Sequence, residues 1–293
     1  MSAADAVVVP GIVVAGIPIE HELPRGWTLG ADPFPRWTSG PPREPALRLR
    51  HGIGDGEGLD LLIDAPETQE AYYADARGEL AVRFGARRPG ERDQWMRTVR
   101  AGYAYDLRYA DASECAIWQW RWQRTSFMYG LASRADGVVA HASGFVLDGG
   151  GGVLAPGSSG VGKSTLARQV AESLGDGAVL SDDRVALTVR GGEPRIWGTP
   201  WHSSGAFLSS ADAPLRAIVL PGRSHGRPPE VHGLRASAAL PRLLRAVGAP
   251  FWSARLMDAM LSALDVVLRN VPVVEYLYTP GPGAGEPLLR ALN

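Results

Sequence analysis

Gly157-Ser158-Ser159-Gly160-Val161-Gly162-Lys163-Ser164-Thr165 fits the pattern G-x-x-x-x-G-K-[ST], with Gly157, Gly162, Lys163 and Ser164 in register. Glycines at these spacings let successive backbone N–H groups turn inward around a polyphosphate. The helix that follows directs its positive end at the same anion. All nine residues are therefore candidates to line a nucleoside triphosphate. Lys163 has the reach for the β- and γ-phosphates, and the Ser164 hydroxyl is a ligand for Mg²⁺. The flanks agree: residues 152–155 are an apolar run suited to a buried strand. Leu166, Val170 and Leu174 fall at i, i+4 and i+8, one stripe of an amphipathic helix. A Gly/Ser linker that matched the pattern by chance would lack both flanks.

Downstream, residues 178–180 form an apolar run that ends in Ser181-Asp182-Asp183, and residues 184–189 lead away as a further strand. Two adjacent carboxylates at a strand end face different ways. One can hold Mg²⁺ while the other accepts the proton of an attacking hydroxyl. An Asp-Asp turn between two strands is the plainer reading of the same residues.

The totals frame the rest. The chain has 293 residues, 45% hydrophobic and 21% charged, ordinary values for a globular protein with a sizeable core. A net charge of −1 argues against a nucleic-acid footprint or an attraction to membrane surfaces. One cysteine, Cys115, excludes an internal disulfide and a Cys-rich zinc site, so a reducing cytoplasm is expected. Residues 6–19 contain Pro10 and Pro18, fall short of a bilayer span and have no basic stretch before them. Neither a membrane anchor nor a signal peptide is expected.

Residues 1–123 read as a β-rich accessory or substrate region. Strands are expected at 7–9, 12–14, 46–50, 80–84 and 103–109, a short helix at 67–76, and a Pro-, Gly- and Trp-rich surface excursion at 23–45. Trp118, Trp120 and Trp122 alternate with Gln119, Arg121 and Gln123. As a strand, this run would place three indoles on one face, either as sheet core or as a platform for stacking a base. Residues 125–134 have helical composition. Residues 138–141 and 144–147 look like a strand, and a glycine turn at 148–152 leads into the phosphate-loop strand. Beyond the acids lie a strand at 213–220, a basic loop at 223–227, amphipathic helices at 235–247 and 253–268, and a strand at 273–278. His141, on the strand before the loop, is on its own either a core histidine or a site residue.

His141, the glycine loop and Ser181-Asp182-Asp183, taken together, resemble the HPr kinase/phosphorylase lineage, whose fold core is shared with ATP-dependent phosphoenolpyruvate carboxykinase. The stretches at 141–144, 180–184, 197–201 and 15–24 look like the compact HPr-kinase-like proteins of some biosynthetic clusters. Some of those phosphorylate a serine hydroxyl, including the C-terminal serine of lasso-peptide precursors. The resemblance implies an α/β fold with α+β character. A phosphoenolpyruvate carboxykinase-like P-loop kinase core with a mixed sheet, residues 124–293, would follow the β-rich region 1–123. It implies Lys163 and Ser164 on phosphates and Mg²⁺, Asp182 as catalytic base, Asp183 as metal ligand and His141 beside the acids. No segment matches the family's signature loop, which supplies a catalytic arginine. Arg223 and Arg227 stand either as its substitute or as a solvated turn. The N-terminal region does not look like the regulatory domain of full-length HPr kinases, so phosphorylase activity and HPr as substrate are not expected.

The function expected is a Mg-ATP-dependent phosphotransferase acting on an alcohol, a serine of a peptide or a small metabolite. A nucleotide-dependent switch or ATPase without an acceptor is the alternative. Carboxykinase chemistry ranks last, because the chain lacks the extra basic and metal-binding groups it needs. Homo-oligomerisation stays open.

Overall fold

The computed structural model describes residues 6–30, 37–42, 44–65, 69–85, 92–135, 137–202 and 207–292. The fold is mixed α/β, with two mixed sheets and a β-rich N-terminal region. The first sheet holds β1 (Ala6–Val14), β2 (Ile17–Pro24), β3 (Leu47–Ile53), β4 (Asp60–Ala65), β5 (Glu70–Ala74), β6 (Leu80–Phe84), β7 (Gln94–Arg100) and β8 (Ala104–Tyr109). Their spatial order is β1-β2-β3-β8-β7-β6-β5-β4, with β2–β3 and β3–β8 parallel and the other pairs antiparallel.

One face of this sheet is covered by α1 (Ala112–Ser133). The row of tryptophans is therefore helical, not a strand. Asp111 caps the helix, its carboxylate accepting from the Ser113 N–H, and Glu114 occupies the first turn. The capped start and a run of helix-forming residues override the two-residue alternation. Trp122 is fully buried, donates its indole N–H to Gln94 at 3.1 Å and meets Phe84 edge-on, whereas Trp118 and Trp120 pack at the margin of the same core. The helix read at 125–134 is the second half of α1, and the 123/124 boundary falls inside it.

Two more expectations change in this region. The helix expected at 67–76 is strand β5 where it is described, with Tyr72 and Tyr73 supplying β propensity; residues 66–68 lie outside the described residues. The excursion at 23–45 is not wholly on the surface. Trp37 and Ser39 are buried, and their backbones exchange bonds with Val13. Residues 31–36 and 43 lie outside the described residues.

The second sheet holds β9 (Gly137–Val146), β10 (Gly152–Pro156), β11 (Val179–Ser181), β12 (Arg184–Arg190), β13 (Glu193–Gly198), β14 (Asp212–Arg223), β15 (Glu230–Leu234) and β16 (Val273–Tyr278). Its order is β10-β9-β12-β13-β14-β16-β15, with β11 on β9 and a parallel β10–β14 pairing that brings the β10 end of the path back onto β14. β9 changes partner along its length: residues 137–141 pair with β12, and residues 142–146 with β10. The expected strands at 138–147 are this one element.

Helices cover both faces. α2 (Lys163–Leu174) and α5 (Glu286–Leu292) pack on one, burying Leu166, Val170 and Leu288 against Phe145, Val153 and Tyr276. α3 (Ala236–Leu244) and α4 (Ala254–Asn270) pack on the other through Leu243, Met260, Leu264 and Val267. Each such side chain contributes about 1.5–3 kcal/mol on full burial. No helix among the described residues is long and apolar enough to cross a membrane.

Candidate functional site

Residues 157–165 connect β10 to α2, so strand, glycine loop and helix follow in the order their pattern requires. Gly160 and Gly162 adopt φ of +79° and +112°, left-handed values that let the loop curl and that L side chains rarely take. Gly162 is the N-cap of α2 and brings no side chain to the helix end, so the first N–H groups of α2 point into the loop. Three tethers hold the loop. The Gly157 N–H donates to the His141 carbonyl at 3.1 Å, Lys163 Nζ donates to the Ser158 carbonyl at 2.9 Å, and the Tyr278 hydroxyl donates to the Gly162 carbonyl at 2.9 Å.

Above the loop lies a cavity of about 290 Å³, walled by residues 159–165, His141, Asp183, Gly222, Arg223, Tyr278 and Pro280. Of the residues expected at the site, this brings together His141, Ser159, Gly160, Val161, Gly162, Lys163, Ser164, Thr165 and Asp183. Gly157 and Ser158 form the base of the loop, off the cavity wall.

The two acids separate as neighbours at a strand end must. Asp182 is 1% exposed and does not line the cavity, whereas Asp183 does. His141 Nε2 lies 3.1 Å from Asp183 Oδ1, and the Arg184 guanidinium donates to the same oxygen at 2.7 Å. Burial pushes the Asp183 carboxyl upward, but the His141 hydrogen bond and the charges of Arg184, His141 and Arg124 outweigh it. The group is held below the usual aspartate range, and so stays ionised. Burial pushes the Lys163 ammonium below the ordinary lysine value; Asp183 opposes that shift and Arg184 adds to it.

Ser164 Oγ donates to the Asp182 carbonyl at 3.2 Å, which leaves its lone pairs to face a cation. That hydroxyl suits Mg²⁺, a hard cation that keeps water and phosphate oxygens as its other ligands. Among the described residues no group of three or more His, Cys, Asp or Glu is placed to hold a metal alone.

Sequence reasoning gave no role to Arg184, Tyr278, Gly222 or Pro280. Arg184 adjoins the acid pair, and that adjacency was the available signal. Tyr278 and Pro280 reach the loop only through the parallel pairing of β14 with β16, which leaves no local trace. Of the two candidate arginines, Arg223 lines the cavity and Arg227 does not; Arg227 closes a turn by donating to the Ser224 carbonyl. The Trp197–Trp201 stretch is structural. Trp197 and Trp201 are buried, Trp197 donates to Thr188 at 2.9 Å, and Thr199 donates to the Arg184 carbonyl at 2.7 Å.

No family model matches the chain, and no curated protein matches it. Among solved structures it is similar to the Hpr(Ser) kinase/phosphatase from Coxiella burnetii, over 52% of this chain and 91% of that one. The identity is 12% and the TM-score 0.30, values at which the likeness decides neither fold nor function.

Proposed function

We propose that the protein is a Mg-ATP-dependent phosphotransferase that moves the γ-phosphoryl group to a hydroxyl acceptor, a serine of a peptide or a small alcohol. The observation that carries this reading is the His141–Asp183 contact of 3.1 Å on the wall of the cavity floored by the glycine loop. A loop alone fits any nucleotide binder. An ionised carboxylate facing the phosphate side of the cavity adds a proton acceptor, which a switch does not need.

In this reading the N–H groups of residues 160–165 and the Lys163 ammonium hold the triphosphate and offset the charge that develops on it. The Ser164 hydroxyl would hold Mg²⁺, which would supply positive charge to the β- and γ-phosphates. Asp183 accepts the proton of the acceptor hydroxyl as that oxygen bonds to the γ-phosphorus and the bond to the β–γ bridging oxygen breaks. The bonds from His141 and Arg184 both fall on Oδ1, so Oδ2 is the oxygen that takes the proton. Asp182, the base that the family resemblance implies, is 1% exposed and does not line the cavity, so this reading gives it the support of Ser164 through its backbone carbonyl. Arg223 is the side chain on the cavity rim suited to the transferring group.

The test is incubation with γ-labelled ATP and Mg²⁺ plus free serine, small alcohols or peptides ending in serine. Label on at least one acceptor, lost in Asp183→Asn, supports the proposal. Steady ATP hydrolysis with no labelled acceptor turns the reading to a nucleotide-dependent switch.

A further inference from the structure

Among the described residues the first sheet ends at β1, whose outer side is partly covered where Val13 bridges Thr38, and at β4. Among the described residues β4 pairs with β5 alone, so over residues 60–64 its other side presents backbone N–H and C=O groups to which no strand is added. Its sequence is aliphatic at the centre, yet Leu61, Leu62 and Ile63 are 56%, 44% and 45% exposed and belong to none of the three hydrophobic cores. A bulge leaves Leu62 as the extra residue between Leu61, opposite Tyr73, and Ile63, opposite Tyr72. Burial of each aliphatic side chain is worth about 1.5–3 kcal/mol, and this strand leaves most of that unused.

Charge says what covers it. Residues 52–76 carry seven acidic side chains and no lysine or arginine, against a net charge of −1 for the whole chain. Asp64 lies 3.9 Å from Arg83, a long and exposed contact worth little, and Asp60 is exposed at the start of the strand. A second copy is a poor occupant. Antiparallel pairing of two β4 strands about Leu62 would set Asp60 of each against Asp64 of the other, and like charges directly opposed destabilise a sheet.

We infer that β4 is a docking edge for an extended segment of a partner polypeptide in which aliphatic residues alternate with lysine or arginine. The segment adds a ninth strand to the sheet, with its aliphatic side chains on Leu61–Ile63 and its cations beside Asp60 and Asp64. This docking is independent of phosphoryl transfer, since none of its residues lines the nucleotide cavity.

The probe is a fluorescein-labelled peptide of alternating valine and lysine, titrated by anisotropy, with an alternating valine–glutamate peptide beside it. The valine–lysine peptide should bind and slow amide exchange in residues 60–65 but not in β1, the other edge, which carries no charged residue. Leu61→Lys/Ile63→Lys should weaken it about tenfold or more, with binding of a non-hydrolysable ATP analogue unchanged as evidence of an intact fold. Asp60→Asn/Asp64→Asn should flatten the salt dependence of binding. Equal binding of the valine–glutamate peptide, protection outside β4, or undiminished binding to the lysine variant overturns the inference. So does a chain that dimerises through β4, seen as a dimer in sedimentation that Leu61→Lys/Ile63→Lys abolishes.

Discussion

The Tyr278 hydroxyl donates to the Gly162 carbonyl at 2.9 Å, so the C-terminal strand β16 braces the last glycine of the phosphate loop from 116 positions away. Burial pushes the Tyr278 hydroxyl up to about 12, which keeps it a donor throughout the neutral range. Its ring also stacks on Tyr276, with centroids 5.0 Å apart and planes 5° from parallel. Tyr278→Phe keeps the stack and removes only the brace. A neutral hydrogen bond of this kind is worth about 0.5–1.5 kcal/mol. Calorimetry with a non-hydrolysable ATP analogue should therefore show affinity falling roughly two- to tenfold. Unchanged affinity would mean that the loop holds its shape without Tyr278.

Gly162→Ala strikes the same contact from the other side. A Cβ there would lie 3.0 Å from the Tyr278 hydroxyl oxygen, at a φ of +112°. Left-handed strain at a non-glycine residue costs about 1–3 kcal/mol, and Tyr278 must also move. The variant should lose more nucleotide affinity than Tyr278→Phe. Gly177→Ala, where the new methyl meets nothing within 4 Å, should lose none. Equal affinities for the three proteins would refute the account of the loop.

The acid pair gives a discriminating comparison. Asp183→Asn should slow phosphoryl transfer about 10²–10⁴-fold with nucleotide affinity little changed, since it removes a proton acceptor. Asp182→Asn, at a position 1% exposed, should act first on thermal stability. If Asp182→Asn instead abolishes transfer in a protein that melts normally, the base is Asp182 after all.

The acid limb of stability comes from a different place. His21 Nδ1 and His51 Nε2 lie 2.9 Å apart in the first core, and His51 Nδ1 meets the Tyr109 hydroxyl at 3.1 Å and Cys115 Sγ at 3.2 Å. Burial lowers His21 to about 4; burial and the charge of His21 lower His51 to about 3. Below pH 6.5 the unfolded chain binds protons that the folded one refuses. Stability is therefore full above 6.5 and declines as pH falls toward 4, by about 1.4 kcal/mol per unit for each ring. Urea midpoints measured between pH 7.5 and 5 should drop accordingly, and a flat profile would sink this account. Asp183 is held below the usual aspartate range, so activity lost between pH 6.5 and 4 should not reflect protonation of Asp183.

At the alkaline end Lys163 sets the limit. Burial lowers its ammonium below 10.5 despite the attraction of Asp183. Nucleotide affinity should thus fall at a pH below that of an ordinary lysine, and Lys163→Arg should move the fall upward. An alkaline limb that Lys163→Arg leaves in place belongs to another group.

What could be seen in the sequence were the elements with a local signal. The loop has its glycines, α3 and α4 have their helical stripes, and β16 is a short β-branched and aromatic run whose bounds match. β7 was invisible because its pattern is inverted. It turns Gln94, Met96 and Thr98 inward and Trp95, Arg97 and Val99 outward, the polar inward residues being satisfied by Trp122 and the Leu80 carbonyl. β4 escaped because exposed aliphatics between two aspartates have no buried face to betray a strand. At the site, residue types were legible and directions were not. Which of Asp182 and Asp183 faces the cavity depends on how β12 pairs with β9, and that is decided by residues far from either.

That pairing makes β9 the molecule's gauge. At the residue where it leaves β12 for β10, its backbone meets three segments at once. The His141 carbonyl takes the N–H of Gly157, the His141 N–H reaches the Ala246 carbonyl, and the Ala142 N–H reaches the Asp183 carbonyl. Loop, acid and histidine are thus measured from one point on one strand. A slip of β9 by one residue against β12 would turn the imidazole to the opposite face and carry it off Asp183, while every residue of the glycine loop remained in the sequence.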